Sequence, residues 1–525
     1  MARTSLRHLV WLGFLALAAC THSDLRPDYP RTPSTVLPVQ ADAPLVAYAS
    51  RVTASHDGHS GLRLISDSGD ALLARIALAD RAKHSLDLQY YMFHSDATGE
   101  LLAQRLLAAA DRGVRVRLLL DDLHVAGNDK VLRVLDGHRN IEIRLFNPFL
   151  ERNSSLWGMG KQFVGDFSRL NRRMHNKAFI ADGAMAIVGG RNIGDEYFDA
   201  KEDVNFRDLD VLALGPVVAE VGQVFDRYWN SQQSFPIGAF HHRVPGPGEL
   251  DALRKSMSEH ARTFSKSAYA QNLVARVGDL AHEAPESDWG WGQATYLADD
   301  PEKGDPEANN RDLHMAPAIR GWMDTAQHRI TLISPYFVPG KKGVAYLQGM
   351  RERGVAVEIL TNSLASTDAG DVYAAYAPYR VPLLKAGVQL FELKPDPSGG
   401  RGRGGSHFFG SSSGSNSLHA KAFVVDDQHA FVGSMNLDPR SIAINTEDGV
   451  IIDSPALAKA LLLIFADATK PIHSYQVMLD DRGAVYWSGK QPGGETVRYD
   501  HAPETSWWRR FKVNMGSLLP IEGLL

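Results

Sequence analysis

Two histidines, each two residues ahead of a lysine, are the groups in this chain best placed to do chemistry. His175, Lys177, Asp182, Gly189 and Asn192 fit the pattern His-x-Lys-x4-Asp-x6-Gly-x-x-Asn, and so do His419, Lys421, Asp426, Gly433 and Asn436. At this composition His-x-Lys-x4-Asp alone arises by chance in roughly one chain in twenty. Two complete copies make accident a poor explanation. On an extended strand, residues two apart point to one face, so each copy presents an imidazole beside a fixed ammonium. That pairing suits an anionic phosphorus centre, where the lysines would neutralise charge building on the phosphoryl oxygens. Two sets suggest double displacement: one histidine attacks, the other protonates the leaving alcohol, and the roles reverse in the second step.

The elements that must position these groups are legible around them. Ala178-Phe179-Ile180-Ala181 and Ala422-Phe423-Val424-Val425 read as buried strands. Asp182-Gly183 and Asp426-Asp427 read as hairpin turns into return strands over Ala184 to Val188 and Ala430 to Val432. Asn192 and Asn436 then come back near their own His-Lys strands, where they would hold the phosphate. Asp182 and Asp426 read as structural, holding the turns.

The repeat extends beyond the motif. His84 and His328 are separated by the same interval as His175 and His419. Each half opens with a helical pattern, Asp70 to Ala82 and Leu313 to Ala326, followed by a strand, Ser85 to Tyr91 and Arg329 to Tyr336. Helices follow over Leu101 to Arg112 and Ala345 to Arg353, stopped by Gly113 and Gly354. Strands come next at Val114 to Leu120 and Val355 to Thr361, then Ile141 to Phe146 and Val388 to Leu393. The expected fold is α/β: two pseudo-symmetric lobes, each a mixed β-sheet flanked by helices, with the active site at their interface. The divisions are 1–20 leader, 21–60 tether, 61–235 first lobe, 236–310 inter-lobe segment, 311–470 second lobe and 471–525 C-terminal extension.

With these residues in view the chain resembles the phospholipase D superfamily, and within it the bacterial cardiolipin synthases, over nearly everything after about residue 60. The stretches that carry the likeness include Leu86 to Tyr91, Asp166 to Lys177, Val188 to Asp195, Ile359 to Ala365 and Asn436 to Ser441. The resemblance implies that His175 is the nucleophile and His419 the acid and then the base, and that no metal or cofactor is required. Asp208 and Glu447 precede equivalent strands and helices in the two halves. A neutral nucleophilic imidazole needs a partner to fix its tautomer. Asp208 is therefore expected to orient His175, and Glu447 to orient His419, as the corresponding acids do in the superfamily.

At the amino terminus Met1 to Arg7 is basic, Leu9 to Ala16 is apolar, and Leu17-Ala18-Ala19-Cys20 follows. The run is short for a membrane span and reads as a cleaved signal. Leu-Ala-Ala-Cys resembles a bacterial lipobox, so Cys20, the only cysteine, is the expected lipidation site. Thr21 resembles sorting to the outer membrane, giving an exported, lipid-anchored protein on the periplasmic side. Prolines at 27, 30, 33 and 38 suggest an extended tether. The full chain is 44% hydrophobic and 22% charged with a net charge of -5, a globular composition with no global basic field, so no nucleic-acid partner is expected.

The remaining candidates read more plainly. Asp121-Asp122 and Asp299-Asp300 suit hydrogen bonding or capping better than metal binding, since no His/Asp/Glu cluster stands at ligand spacing. His84 and His328 read as packing or capping residues, and Tyr90-Tyr91 and Tyr336-Phe337 as core or cleft wall. Leu150 to Phe167 reads as an apolar loop, as consistent with acyl-chain or bilayer contact as with local packing. Asp396 to Ser417 is Gly/Ser-rich and placed to act as a lid. Trp507 to Lys512, with Leu518 to Leu525 beyond, suits either a membrane interface or a docked terminal helix.

The expected activity is cardiolipin formation from phosphatidylglycerol and a second phospholipid, with phosphatidylethanolamine the donor the resemblance suggests, through a phosphohistidine. Its rivals are a hydrolytic phospholipase D, a periplasmic nuclease or phosphodiesterase, and an inactive membrane scaffold.

Overall fold

A computed structural model describes residues 24–517 apart from 126–128, 153–155, 241–242, 281–287, 309, 396–414 and 492. Cys20 with its leader, most of the Gly/Ser-rich stretch and Leu518 to Leu525 lie outside the described residues.

Each lobe is built on three parallel strands, largely apolar but also burying Asp87, Gln89, Arg117 and Arg144 in the first lobe and Thr331 and Glu392 in the second. In the first they are Ser85–Tyr90, Arg115–Asp121 and Ile141–Phe146; in the second, Arg329–Ile333, Ala356–Asn362 and Gln389–Leu393. Helices make the crossovers, as parallel pairing requires. Asp96 caps the crossover helix Ala97–Asp111 by accepting from Gly99 N. Gly113 and Gly354, past the ends of the equivalent helices, take φ of +101° and +89°, conformations that favour glycine.

The motif strands join these cores from the side. Ala178–Ala181 pairs antiparallel with Ser85–Tyr90, and Lys421–Val425 with Arg329–Ile333. Their return strands are Met185–Gly189 and His429–Gly433. The two sheets have nine and ten strands among the described residues, in the same order through their shared parts. They meet along the return strands and the strands beyond, Asp210–Leu214 and Asp448–Asp453, and a single apolar core spans the seam. The helix Val217–Trp229 contacts the strand Ala294–Ala298 of the second sheet, and Pro455–Ala468 contacts Ser60–Ile65 of the first. Neither lobe buries its apolar face alone.

Asp182 and Asp426 do more than shape turns. Both sit at positive φ, +52° and +50°. The Asp182 carboxylate accepts from the backbone N–H groups of Lys83, His84 and Ser85, and Asp426 accepts from those of Gln327, His328 and Arg329. Each aspartate locks its motif hairpin onto the start of the neighbouring core strand, and His84 and His328 supply backbone donors to that lock. Asp182→Ala would leave three N–H groups without this acceptor, so a loss of about 2–4 kcal/mol is expected in a denaturant titration. Asp182→Asn, which tolerates the φ and keeps one acceptor, should lose less than half of that.

Two segments differ from expectation. Residues 24–43, read as tether, form no helix or strand but lie along the first lobe. Asp24 N donates to Leu150 O, Arg117 donates to Ser34 O, Arg144 donates to Thr32 O, and the Asp226 carboxylate accepts from Val36 N. The helix Pro44–Thr53 then packs on the same lobe. Leu156–Gly165, read within a loop, is helical despite its glycines. The inter-lobe segment forms two helices, Pro247–Phe264 and Ala268–Leu280, on the first lobe, before one strand joins each sheet.

Candidate active site

The site is assembled by exchange across the seam. Ahead of the first motif strand, Met174 makes a parallel bridge to Thr446 of the second lobe; His175 N donates to Thr446 O at 2.8 Å and Thr446 N to Arg173 O at 2.9 Å. Ahead of the second, Ser415–Leu418 pairs in parallel with Val204–Arg207 of the first lobe. His419 N then donates to Arg207 O at 2.7 Å. Each acid-bearing segment therefore runs beside the histidine of the other lobe.

This crossing overturns the expected partnership of acids and histidines. His175 Nδ1 lies 2.8 Å from Glu447 Oε2, and His419 Nδ1 lies 2.6 Å from Asp208 Oδ2. Asp208 does not orient His175, and Glu447 does not orient His419. With Nδ1 held by a carboxylate, each ring keeps Nε2 for chemistry. His175, Lys177 and His419 precede the ladders of their strands, whereas Lys421 opens its own, paired with Gly433.

The two pairs differ electrostatically. Burial pushes Asp208 up, but His419, Lys421 and Arg191 outweigh it and hold the carboxyl well below its usual range. Burial raises Glu447, against the opposing pull of Lys177 and the Ser434 hydroxyl. His175 is driven well below the ordinary histidine range by burial and then by Lys177 and Lys421. His419 is lowered by burial and Lys421, while Asp208 pulls it back. Asp208 is thus a firm anion beside His419, suited to stabilise an imidazolium. His175 is the ring held most strongly neutral, as a nucleophile must be.

The supports of the acids differ in kind too. Ser434 Oγ donates to Glu447 Oε2 at 2.6 Å, and Asp299 Oδ2 accepts from Glu447 N at 2.8 Å. Gly190 holds the place of Ser434 in the first lobe, and a Cβ there would lie 2.1 Å from Asp208 Oδ1. Glycine is needed at 190 for space. Ser434→Ala should lower kcat about 10–100-fold, the value of one hydrogen bond to a charged group, with little change in KM. Steady-state kinetics on the purified variant would check this.

The lysines lie beside their histidines. Lys177 Nζ donates to His175 O at 2.5 Å, and Lys421 Nζ lies 2.9 Å from His419 Nδ1. Burial brings Lys177 down to about 7, against Glu447, and Lys421 down to about 8, against Asp208. A phosphate needs the ammonium forms, so kcat/KM should fall as pH rises through 7 to 8. On kcat that limb should lie higher, because a bound phosphodiester stabilises both ammonium groups. Profiles whose alkaline limbs begin only near the ordinary lysine value of about 10.4 would contradict this.

The asparagines are not equivalent. Asn192 Oδ1 accepts from Met92 N and its Nδ2 donates to the Tyr197 hydroxyl at 2.8 Å, so this amide positions Tyr197. Asn436 is buried, with an Oδ1 that has no hydrogen-bond partner among the described residues; of the two, it is the one open to a ligand. The Phe206 ring lies tilted 5.1 Å from that of His419, and the Tyr197 ring meets it edge-on at 5.3 Å. Tyr91 does the same for His175 at 5.0 Å, with its hydroxyl 3.1 Å from His124 Nε2. Tyr91 is thus site wall, while Tyr90 is core, hydrogen-bonded to Arg75.

Sequence reasoning missed Asp448. Its Oδ2 accepts from Lys177 N at 3.0 Å and from the Tyr296 hydroxyl at 2.6 Å, and burial raises it to about 7. The signal was present: Asp448 stands where the first copy has the apolar Leu209. Asp121 accepts from the Arg173 guanidinium and from Met174 N, fixing the turn into the first motif. Asp122 accepts from Arg152 and Phe149 N, while Asp300 caps a short helical turn. One group brings metal-type donors together among the described residues: His94, Asp96 and Glu196, within 4.8 Å of one another. His94 and Asp96 stand two apart, but Glu196 is remote in sequence, so no spacing revealed the group. Lys201 Nζ lies 3.9 Å from Glu196 and supplies that cluster with a cation.

This fold and this paired site define a phospholipase D-type enzyme. Residues 76–229 and 319–468 match the family described as cardiolipin synthase, PLD-like domain, and the chain belongs to that family, as a phosphatidyltransferase. It is 40% identical over 506 residues to cardiolipin synthase C of Escherichia coli (strain K12), spanning 94% of this chain and 100% of that one. It is 26% identical to the major cardiolipin synthase ClsA of Bacillus subtilis (strain 168), over 77% of this chain and 68% of that one. Among solved structures, phosphatidylserine synthase of Haemophilus influenzae Rd KW20 shares the fold, with a TM-score of 0.53 at 13% identity, over 91% of this chain and 100% of that one.

Proposed function

We propose that the enzyme makes cardiolipin from phosphatidylglycerol and a second phospholipid, with phosphatidylethanolamine as donor, through a phosphohistidine on His175. The observation that carries the reading is the unequal pair of crossed contacts: a neutral ring at His175, and a ring braced by an anionic aspartate at His419. His175 Nε2 attacks the donor phosphorus. The bond from phosphorus to the head-group oxygen breaks, and His419 Nε2 gives its proton to that oxygen. His419 then takes the proton from a glycerol hydroxyl of phosphatidylglycerol, whose oxygen displaces His175 and leaves the enzyme as it began. Lys177 and Lys421 balance the phosphoryl charge throughout. The leader and Cys20 support an exported, lipid-anchored protein on the periplasmic side, at the outer membrane.

Mass spectrometry of products tests this. Purified enzyme would be given phosphatidylglycerol with and without phosphatidylethanolamine, in mixed micelles containing chelator. Cardiolipin with released ethanolamine is expected. Cardiolipin formed equally well without phosphatidylethanolamine would reassign the donor, and phosphatidic acid alone would replace the transferase reading with a hydrolase.

A further inference from the structure

The last described helix, Trp507–Gly516, carries an apolar stripe that the body leaves uncovered. Its large apolar side chains are exposed by 58% at Trp507, 64% at Trp508, 43% at Phe511 and 52% at Met515. Successive residues on a helix turn by about 100°, which places these four within one arc of about 100°. Val513, on the opposite side, is the buried residue of the helix and joins the second-lobe core. The helix is therefore docked, by the face without tryptophan. Three aromatic rings of the stripe hold one another: Trp507 stacks on Phe511 with centroids 5.3 Å apart, and Trp508 meets Phe511 edge-on at 5.9 Å.

Charge and place select the occupant. The helix holds Arg509, Arg510 and Lys512 and no acid. Lys512 stands at the border of the stripe, and Arg510 flanks its other side. Aromatic rings edged by basic residues match the boundary between anionic head groups and acyl chains. Arg509 on the docked side donates to Thr367 O at 2.9 Å. The next residue, Asp368, accepts from the Tyr336 hydroxyl at 2.7 Å and acts electrostatically on Lys421. Two residues thus link the helix to the rim of the second His-Lys pair.

We propose that Trp507–Gly516 is a bilayer-docking element: Trp507, Trp508, Phe511 and Met515 enter the interface of an anionic membrane and hold the second-lobe rim at head-group level, so that phospholipid reaches His419 and Lys421 without leaving the bilayer. The benefit to turnover rests on the lipid substrates proposed above; the docking does not.

A full-length Cys20→Ser chain carrying Met515→Cys would be labelled with an environment-sensitive fluorophore and mixed with phosphatidylcholine vesicles with and without phosphatidylglycerol. A second chain would carry the label at Val274, an exposed position on the inter-lobe helix Ala268–Leu280. Quenching by spin-labelled lipid should be at least threefold stronger at 515 than at 274, and should weaken without phosphatidylglycerol or in high salt. Equal quenching at the two sites would overturn the proposal. A label change on self-association without vesicles would overturn it too, assigning the stripe to a second copy. Trp507→Ser/Trp508→Ser/Phe511→Ser should lower turnover of vesicle phospholipid at least tenfold, yet stay within twofold of the parent on a short-chain phospholipid below its micellar concentration. Equal loss on both substrates would count against docking. If the parent turned over no phospholipid, the proposed function would fall, while the quenching would still decide the helix.

Discussion

Replacing Asp208 by Asn should lower kcat about 10⁴-fold, the size of loss expected when a carboxylate that fixes a histidine tautomer becomes an amide. The effect should pass through His419 and not through His175, although Asp208 and His175 share a lobe. Asp208 Oδ2 lies 2.6 Å from His419 Nδ1. An amide nitrogen there would meet Nδ1 with hydrogen and force the proton onto Nε2, the atom meant to react. Asp208 Oδ1 also accepts from Leu209 N, a contact that asparagine keeps, so the fold should survive. Glu447→Gln should act in the same way on His175. Imidazole nitrogen resonances, assigned by difference from His175→Ala and His419→Ala chains, provide the check. Asp208→Asn should move the His419 signals and leave those of His175 in place, and Glu447→Gln should do the reverse. The opposite assignment would restore the pairing within each lobe.

The sequence showed which groups would meet but not across which boundary. The two His-Lys pairs, the return strands, the glycine stops at 113 and 354 and the acids at 208 and 447 were all legible, because each follows from local spacing or from the phase of the repeat. Two equivalent acids and two equivalent histidines can pair within halves or between them with identical spacing in the chain. The choice is made by long-range backbone bonds, Met174 to Thr446 and Arg207 to His419, which leave no local trace. The docked stretch 24–43 was hidden for a similar reason. Its prolines suit a tether, yet its polar groups are met by Arg117, Arg144 and Asp226, residues that look like ordinary strand and helix charges. Glycines at 158, 160 and 165 masked the helix Leu156–Gly165, since each is a poor helix former. Asp448 could have been found by asking why one copy of a near-symmetric motif carries a charge where the other carries Leu209.

The inequality of the two histidines leads to a second large effect, one that depends on the leaving group. On a natural phospholipid, whose alkoxide must be protonated as it departs, His175→Ala and His419→Ala should each lower turnover by at least about 10⁴-fold, since nucleophile and acid act as a unit. A nitrophenyl phosphodiester leaves without a proton. On that substrate His419→Ala should still release a burst of nitrophenolate close to one per enzyme, and then stall, because the second step lacks its base. The trapped phosphoryl group should sit on His175 and be lost in acid, as a phosphoramidate is. His175→Ala should give no burst on either substrate. The asymmetry follows from the site: burial and two lysines hold His175 neutral and ready to attack, while the anionic Asp208 favours the proton on His419. A burst from His175→Ala and none from His419→Ala would exchange the roles while leaving the crossed contacts intact. Asp208→Asn should follow His419→Ala in this assay, recovering its burst on the activated substrate, and Glu447→Gln should follow His175→Ala, so the carboxylates report on chemistry performed by the lobe opposite their own.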